Sequence, residues 1–220
     1  MKNNLYYSGV GGKIYLDQRS GAVNEHNQSL RASLFRDLGG PKISILDFGC
    51  GTGAVVQRLD AALRCGVEVN EAAGAIAEAG GVKIYTSLEE LPDRSIDVVI
   101  SFHAIEHVDN PLLILRQIRR VLRPGGRTRL VVPCESAVLK AQRTWRPNSD
   151  RHLYTWTPLV FGNLAERAGF ESIVCRIAPM PTNSRAVRAL KIVPPAASFL
   201  HYVLAVRRNS LNVILEGQAT

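Results

Sequence analysis

Residues 45–53, ILDFGCGTG, run a short apolar strand straight into three glycines at alternate positions, Gly49, Gly51 and Gly53. No other stretch restricts the chain so tightly. Glycine adopts positive φ without strain and lets backbone amides approach a ligand with no Cβ in the way. A helix starting near Ala54 would add its own free N–H groups. Strand, glycine turn and helix in that order make a nucleotide-cofactor loop. The spacing D-x-G-x-G-x-G differs from the G-x-G-x-x-G that cradles a pyrophosphate, which argues against a hydride-transferring dehydrogenase.

The rest of the chain alternates short apolar strands with helical stretches, the pattern of a parallel, doubly wound sheet with its ligand at the carboxyl ends of the strands. Residues 66–70 read as a second strand carrying Glu68, nineteen positions after Gly49, the separation expected of a carboxylate that accepts hydrogen bonds from ribose hydroxyls. Residues 82–85 are a third strand. A fourth, 96–101, has a β-branched centre at Val98, Val99 and Ile100 that suits burial on both faces. After it come Phe102, His103, Ala104, Ile105, Glu106, His107 and Val108, then a helix with apolar Leu112, Leu115, Ile118 and Leu122 that stops at Pro124-Gly125-Gly126. Residues 128–132 are the fifth strand. Thr157-Pro158 supplies a capping hydroxyl and a first-turn proline for a helix over 159–168, and Gly169 suits its exit. Residues 170–177 and 211–215 complete the sheet as an edge pair. Between them Pro179, Pro181, Pro194 and Pro195 set off two short helical candidates, 184–192 and 196–207.

These elements resemble, in order and spacing, the class I S-adenosylmethionine-dependent methyltransferases. The glycine loop is similar to their first motif. The run from Glu106 to Pro111, the run from Arg120 to Gly126, the His152-Leu153-Tyr154 element and the run from Gly162 to Phe170 look like the small-molecule enzymes related to the ubiquinone and menaquinone methyltransferases, so the resemblance spans roughly residues 40–178. It implies an α/β Rossmann-like doubly wound sheet of about seven strands, mostly parallel with an antiparallel C-terminal edge strand. A single domain, 1–220, would comprise an N-terminal helical cap (1–40), a cofactor core (41–178), a helical insertion or lid (179–209) and a final strand (210–216). The implied cofactor is S-adenosyl-L-methionine, with S-adenosyl-L-homocysteine as product. Asp47, Gly49, Gly51 and Gly53 would meet the methionyl part, and Cys50 fits the loop. Glu68 and Val69 would meet the ribose, and Ser87 and Leu88 the adenine. Ser101 and Phe102, with His103 beside them, would form the floor beneath the sulfonium. Two plainer roles stand beside these: Asp47 as a cap of the loop's own amides, Glu68 as an exposed strand end.

Charge is divided unevenly along the chain. The net charge is +8, yet residues 1–115 hold ten lysines and arginines against fourteen acids, and residues 116–220 hold seventeen against five. A basic C-terminal half points to an anionic acceptor such as a nucleotide-linked sugar, an acidic saccharide or a phosphate-bearing lipid. For Arg116, Arg119, Arg120 and Arg123 a solvated helix face is the stronger reading. For Lys140, Arg143, Arg146 and Arg151, interrupted by Trp145 and Pro147, the acceptor reading is preferred. The N-terminus has no continuous apolar run of the signal-peptide kind, and the apolar stretch 196–206 is too short to span a bilayer; peripheral membrane contact stays open. Cys50, Cys65, Cys134 and Cys175 show no C-x-x-C pair, so neither zinc nor a disulfide framework is expected and a reducing cytoplasm is the default.

A sulfonium already activates its methyl group. A protein must hold the acceptor atom in line in a dry pocket and, for a hydroxyl, remove a proton. His107, His152 and His103, in that order, are the candidate bases, and Tyr154 is a candidate for orienting the acceptor. Glu106 with Asp109 could hold a divalent ion, but carboxylates three apart on a helix usually form a solvated face, and no metal is expected. The leading expectation is methyl transfer to an oxygen of a small, anionic acceptor. A nucleic-acid (RNA) methyltransferase is an alternative weakened by His103-Ala104-Ile105-Glu106 standing where base-amino methylases have N-P-P-[YFW], and by the lack of an RNA-binding module. A non-catalytic protein that binds the nucleoside is the other alternative.

Overall fold

A computed structural model describes residues 7–20, 25–134, 144, 151–181, 194–207 and 210–220. Lys140, Arg143, Trp145, Arg146, Pro147 and the helical candidate at 184–192 lie outside the described residues. Seven strands form one sheet: β1 (Gly40–Phe48), β2 (Ala61–Val67), β3 (Lys83–Tyr85), β4 (Ile96–Phe102), β5 (Leu122–Pro133), β6 (Glu171–Pro179) and β7 (Leu211–Gln218). Their order is β3-β2-β1-β4-β5-β7-β6. The first five run parallel, and β7 is antiparallel to both β5 and β6. The expected edge pair is present, with the C-terminal strand one place in from the edge. Burial explains that placement. Val213, Ile214 and Leu215 are at most 3% exposed and need cover on both faces, whereas β6 leaves Val174 and Ile177 in solvent.

Among the described residues six α-helices accompany the sheet: α1 (Gly9–Ser20), α2 (Glu25–Ala32), α3 (Glu71–Ala79), α4 (Pro111–Val121), α5 (Pro158–Ala168) and α6 (Pro194–Arg207). Their entries follow from local chemistry. The Asn70, Asn110 and Thr157 side chains accept from the amides of Ala73, Leu113 and Val160, each cap contributing about 1 kcal/mol. Proline opens α4 and α5, where its missing N–H costs nothing. Gly169 ends α5 at φ 92°, in the left-handed region.

The helix expected from Ala54 does not form. After the glycines the chain makes a single 3-10 turn, Val56–Arg58, and enters β2 at Ala61. The crossover from β1 to β2 is the twelve residues 49–60, near the shortest a parallel connection takes. The second strand accordingly starts earlier than expected, at Ala61 rather than Gly66, which leaves Glu68 just beyond its end.

Period-two alternation sends neighbouring strand residues to opposite faces. Leu46, Phe48, Val99 and Leu130 pack with Leu115, Ile118, Trp156 and Phe161 on one side. Ile45, Val98, Ile100 and Val131 pack with Phe35, Leu38, Val56 and Leu59 on the other. Both faces are dry, as an interior parallel sheet requires. Among the described residues no helix is long and apolar enough to cross a membrane, and no cysteine is paired.

Arg129 on β5 ties the segment after α2 to the sheet. Its guanidinium, 13% exposed, donates to both Asp37 oxygens at 2.6 and 2.8 Å and to Glu216 at 3.1 Å. The hydrogen bond from Arg129 is the main cause holding the Asp37 carboxyl below its usual 3.8. A depressed carboxyl contributes stability that is present above the unfolded pKa and is lost as pH falls through the folded one. Arg129→Met should lower stability by about 1–3 kcal/mol, read as a lower urea midpoint at unchanged slope, and the loss should shrink as pH falls below 3.8. An unchanged midpoint at pH 7 would contradict the role given to this arginine.

Candidate functional site

β1, β2 and β4 all end at the same side of the sheet, and the glycine loop leaves from the first of them. Gly49, Gly51 and Gly53 each take positive φ, at 72°, 55° and 72°. At Gly49 an added Cβ would lie 2.4 Å from the Ala104 Cβ, so any side chain would push the loop off the segment that follows β4. At Gly51 a Cβ would meet nothing within 4 Å: the loop there faces open space that a ligand can fill. The amides of Gly49 and Cys50 both donate to the Val67 carbonyl, at 2.8 and 3.2 Å, and fix the turn on β2. Cys50 fills the loop from beneath; burial raises its thiol pKa and keeps it neutral.

Two carboxylates flank that loop. Glu68 accepts from the Gly51 amide at 2.7 Å with one oxygen and from the Asn70 amide at 2.8 Å with the other. A carboxylate has about four acceptor sites, so these bonds orient Glu68 and leave capacity for hydroxyl donors. Burial raises its pKa, and the amide bonds oppose that. Asp47, 3% exposed at the end of β1, is pushed up to about 8 by burial, with the nearby Glu68 charge adding to the rise. A pair of acids in which one is kept protonated is an environment biased toward a cation. That matches the chemistry of a nucleoside carrying an ammonium and a sulfonium. Val69, half exposed, lies beside Glu68.

The other expected contacts divide. Ser87 caps a 3-10 turn, its hydroxyl accepting from the Glu89 amide at 3.1 Å. Leu88 is 3% exposed and packs into the core, so only its backbone is available to a ligand. Ser101 is buried and donates to the Phe48 carbonyl at 2.8 Å, tying β4 to β1. Phe102 carries the Arg31 guanidinium 5.0 Å from its ring centre on one contact and stacks on His103 at 4.2 Å. His103 holds φ at 53°, an uncommon backbone for a residue with a side chain. Its Nε2 lies 2.8 Å from the Asn212 Oδ1, and burial lowers its pKa to about 4. His103 is therefore neutral at pH 7; with the Asn212 oxygen as acceptor, Nε2 carries the proton and Nδ1 the free lone pair.

His107 and His152, two of the candidate bases, come together. Their rings meet edge-on at 5.0 Å, and the Tyr7 hydroxyl lies 2.9 Å from His107 Nδ1. Glu106 is fully buried, with an oxygen 3.9 Å from His152 Nε2, while its carbonyl accepts from the Leu153 amide at 2.9 Å and holds the 151–154 segment in place. Glu106 thus faces His152 rather than pairing with the exposed Asp109. Glu106, His107 and His152 offer donor atoms within 4.8 Å of one another, a looser set than the roughly 3.4 Å between ligands held at about 2.1 Å around a tetrahedral ion. Tyr154 spends its hydroxyl on the Asp109 carbonyl at 2.9 Å.

Tyr7 and Asn212 were not legible as site residues. Tyr7 lies a hundred residues from His107 in a segment without periodicity. Asn212 did leave a trace: a lone polar residue in an apolar strand, 4% exposed, has to have a partner.

A family model described as a methyltransferase domain matches residues 22–175. A probable S-adenosylmethionine-dependent methyltransferase of Mycolicibacterium smegmatis is 32% identical over 134 residues, 58% of this chain and 51% of that protein. The ubiquinone biosynthesis O-methyltransferase of Rickettsia conorii is 36% identical over 98 residues, 39% of this chain and 33% of that one. The chain thus spans about half or less of the length of these curated relatives. Among solved structures, a SAM-dependent methyltransferase from Thermotoga maritima superposes with a TM-score of 0.65 at 18% identity, covering 94% of this chain and 97% of that one, which speaks for the fold alone. The glycine loop, the sheet order and the match over residues 22–175 agree, and the chain belongs to the class I, S-adenosylmethionine-dependent methyltransferase family.

Proposed function

We propose that this chain methylates an oxygen of a small anionic acceptor, such as a sugar or another anionic biosynthetic intermediate, and that His107 takes the hydroxyl proton. The observation that carries this is the His107 imidazole, hydrogen-bonded at Nδ1 to Tyr7 and set against His152, on the same side of the sheet as the glycine loop. A neutral His152 would take the proton onward from His107, and the Glu106 carboxyl 3.9 Å from its Nε2 would face the imidazolium so formed. His103, kept neutral by burial and held in place by the Asn212 hydrogen bond, orients rather than shuttles. Arg31 over Phe102 and Arg151 next to His152 supply positive charge on this side, which supports an anionic acceptor.

On the cofactor side we assign Asp47, Glu68 and the amides of the 49–53 loop to the methionyl and ribose groups, with Phe102 and the Ser101 backbone as floor. When bound, S-adenosylmethionine supplies an electrophilic methyl group. What these residues contribute is placement, a charge environment suited to a cation, and shelter from water.

Two outcomes test this. With methyl-labelled S-adenosylmethionine and a panel of anionic hydroxyl compounds, His107→Ala should lower turnover by about 10²- to 10⁴-fold while cofactor affinity stays the same; full retained turnover would remove His107 from the chemistry. Because Asp47 sits at about 8, pairing with a cation requires it to lose a proton at neutral pH. Cofactor affinity should therefore weaken by up to about tenfold per pH unit below that value, with a proton released on binding, and Asp47→Asn should flatten the dependence. A flat profile in the wild type would overturn the role given to Asp47.

A further inference from the structure

At the end of the sheet opposite the glycine loop, a cavity of about 360 Å³ opens between the start of β4 and the last turns of α4. Its polar lining is Arg94, Arg116, Arg119, Arg120, Asp93 and Thr220. The seven residues of β4 separate it from Phe102 by roughly 20 Å at about 3.3 Å per residue, so it lies apart from the site described above.

Two of the four arginines have structural work. Arg119 donates to the Gly169 carbonyl at 2.6 Å and reaches the Thr220 carbonyl at 3.3 Å. Arg120 donates to the Leu88 and Leu91 carbonyls at 2.7 and 3.0 Å and pairs with Asp93. Cations at the last turn of α4 also answer the helix dipole. Neither account covers Arg94 and Arg116. Among the described residues, no hydrogen bond or ion pair uses either guanidinium.

Folding alone gives no reason for their placement. Arg116 stands three and four residues before Arg119 and Arg120, spacings at which like charges on a helix repel. Arg94 holds φ at 51°, an uncommon conformation for a non-glycine residue, while its amide donates to the Arg120 carbonyl at 2.9 Å. The turn thus brings a further guanidinium to a place already rich in them. Four arginines face a single carboxylate, Asp93. Uncommitted guanidinium forks match tetrahedral oxyanions, which they bind through paired N–H donors. The volume lies within the range of small-ligand sites, about 300–1,000 Å³, and has room for more than a lone inorganic ion.

We propose that this cavity binds a small ligand through a diphosphate group held by Arg94 and Arg116. The phosphate chemistry could also come from a nucleic-acid backbone, and the test separates the two. The full chain is titrated calorimetrically at about 150 mM salt with sodium pyrophosphate and, separately, with a ten-nucleotide single-stranded RNA; the same titrations are run on Arg94→Gln/Arg116→Gln. The expected result is one pyrophosphate per chain, bound about tenfold or more weakly by the double variant, with S-adenosylmethionine binding identical in both proteins as proof of folding. Absence of pyrophosphate binding, or equal binding by the two proteins, overturns the proposal. RNA binding that depends on these arginines without pyrophosphate binding also overturns it and gives the face to nucleic acid.

Discussion

The Glu68 carboxylate, held between the amides of Gly51 and Asn70, is the joint on which the cofactor side depends. It closes the glycine loop onto the end of β2, and it precedes the residue that caps α3. Its charge also sets the state of its neighbour. Asp47 is buried on the adjoining strand, and two acids this close in a dry site are not both ionised without a countercharge. The loop is thus held open by backbone amides and made receptive to a cation by the carboxylates beneath it. The missing helix after Gly53 strengthens that dependence, since no helix dipole stands behind the loop.

The proposed acceptor side is built differently. Here the titratable groups are imidazoles, and each is fixed by a partner from a distant part of the chain: Tyr7 from the N-terminal segment, Asn212 from β7, Glu106 beside the 151–154 segment. These partners do different things to their rings. Burial keeps His103 neutral while Asn212 fixes its ring, whereas His152 has the buried Glu106 carboxyl 3.9 Å from its Nε2. That α1 also docks on the cofactor side, through the Asn70 side chain donating to the Gly12 carbonyl at 2.8 Å, links the two halves through one N-terminal element.

Much of this was legible from residue order because local chemistry decided it. Strand β1 announced itself as a short apolar run, β4 as a β-branched one, and the Thr157-Pro158 pair as a helix entry. The glycines declared a loop because a backbone with positive φ demands them. What local pattern could not show was anything set by length or by long-range contact. The glycine loop led to the expectation of a helix from Ala54, where the chain makes only a 3-10 turn at Val56–Arg58. Leu88 falls on a position implied to touch the cofactor, yet its side chain is in the core. Ser101 has the right place with its hydroxyl already committed to Phe48. Arg116, Arg119, Arg120 and Arg123 looked like a solvated face, but Arg119, Arg120 and Arg123 are bound to carbonyls and carboxylates; only the tertiary fold separates Arg116 from them and brings Arg94 alongside.

The most direct test of the central claim is calorimetric titration of the full chain with S-adenosylmethionine, S-adenosylhomocysteine and NAD, repeated on Glu68→Ala and on Glu68→Gln. The account predicts that both sulfur nucleosides bind and NAD does not, and that Glu68→Ala loses about 1–3 kcal/mol of binding free energy. Glu68→Gln, which keeps an acceptor for the loop amide, should retain more of it. Failure of a folded wild-type protein to bind either sulfur nucleoside, or undiminished binding by Glu68→Ala, would contradict it.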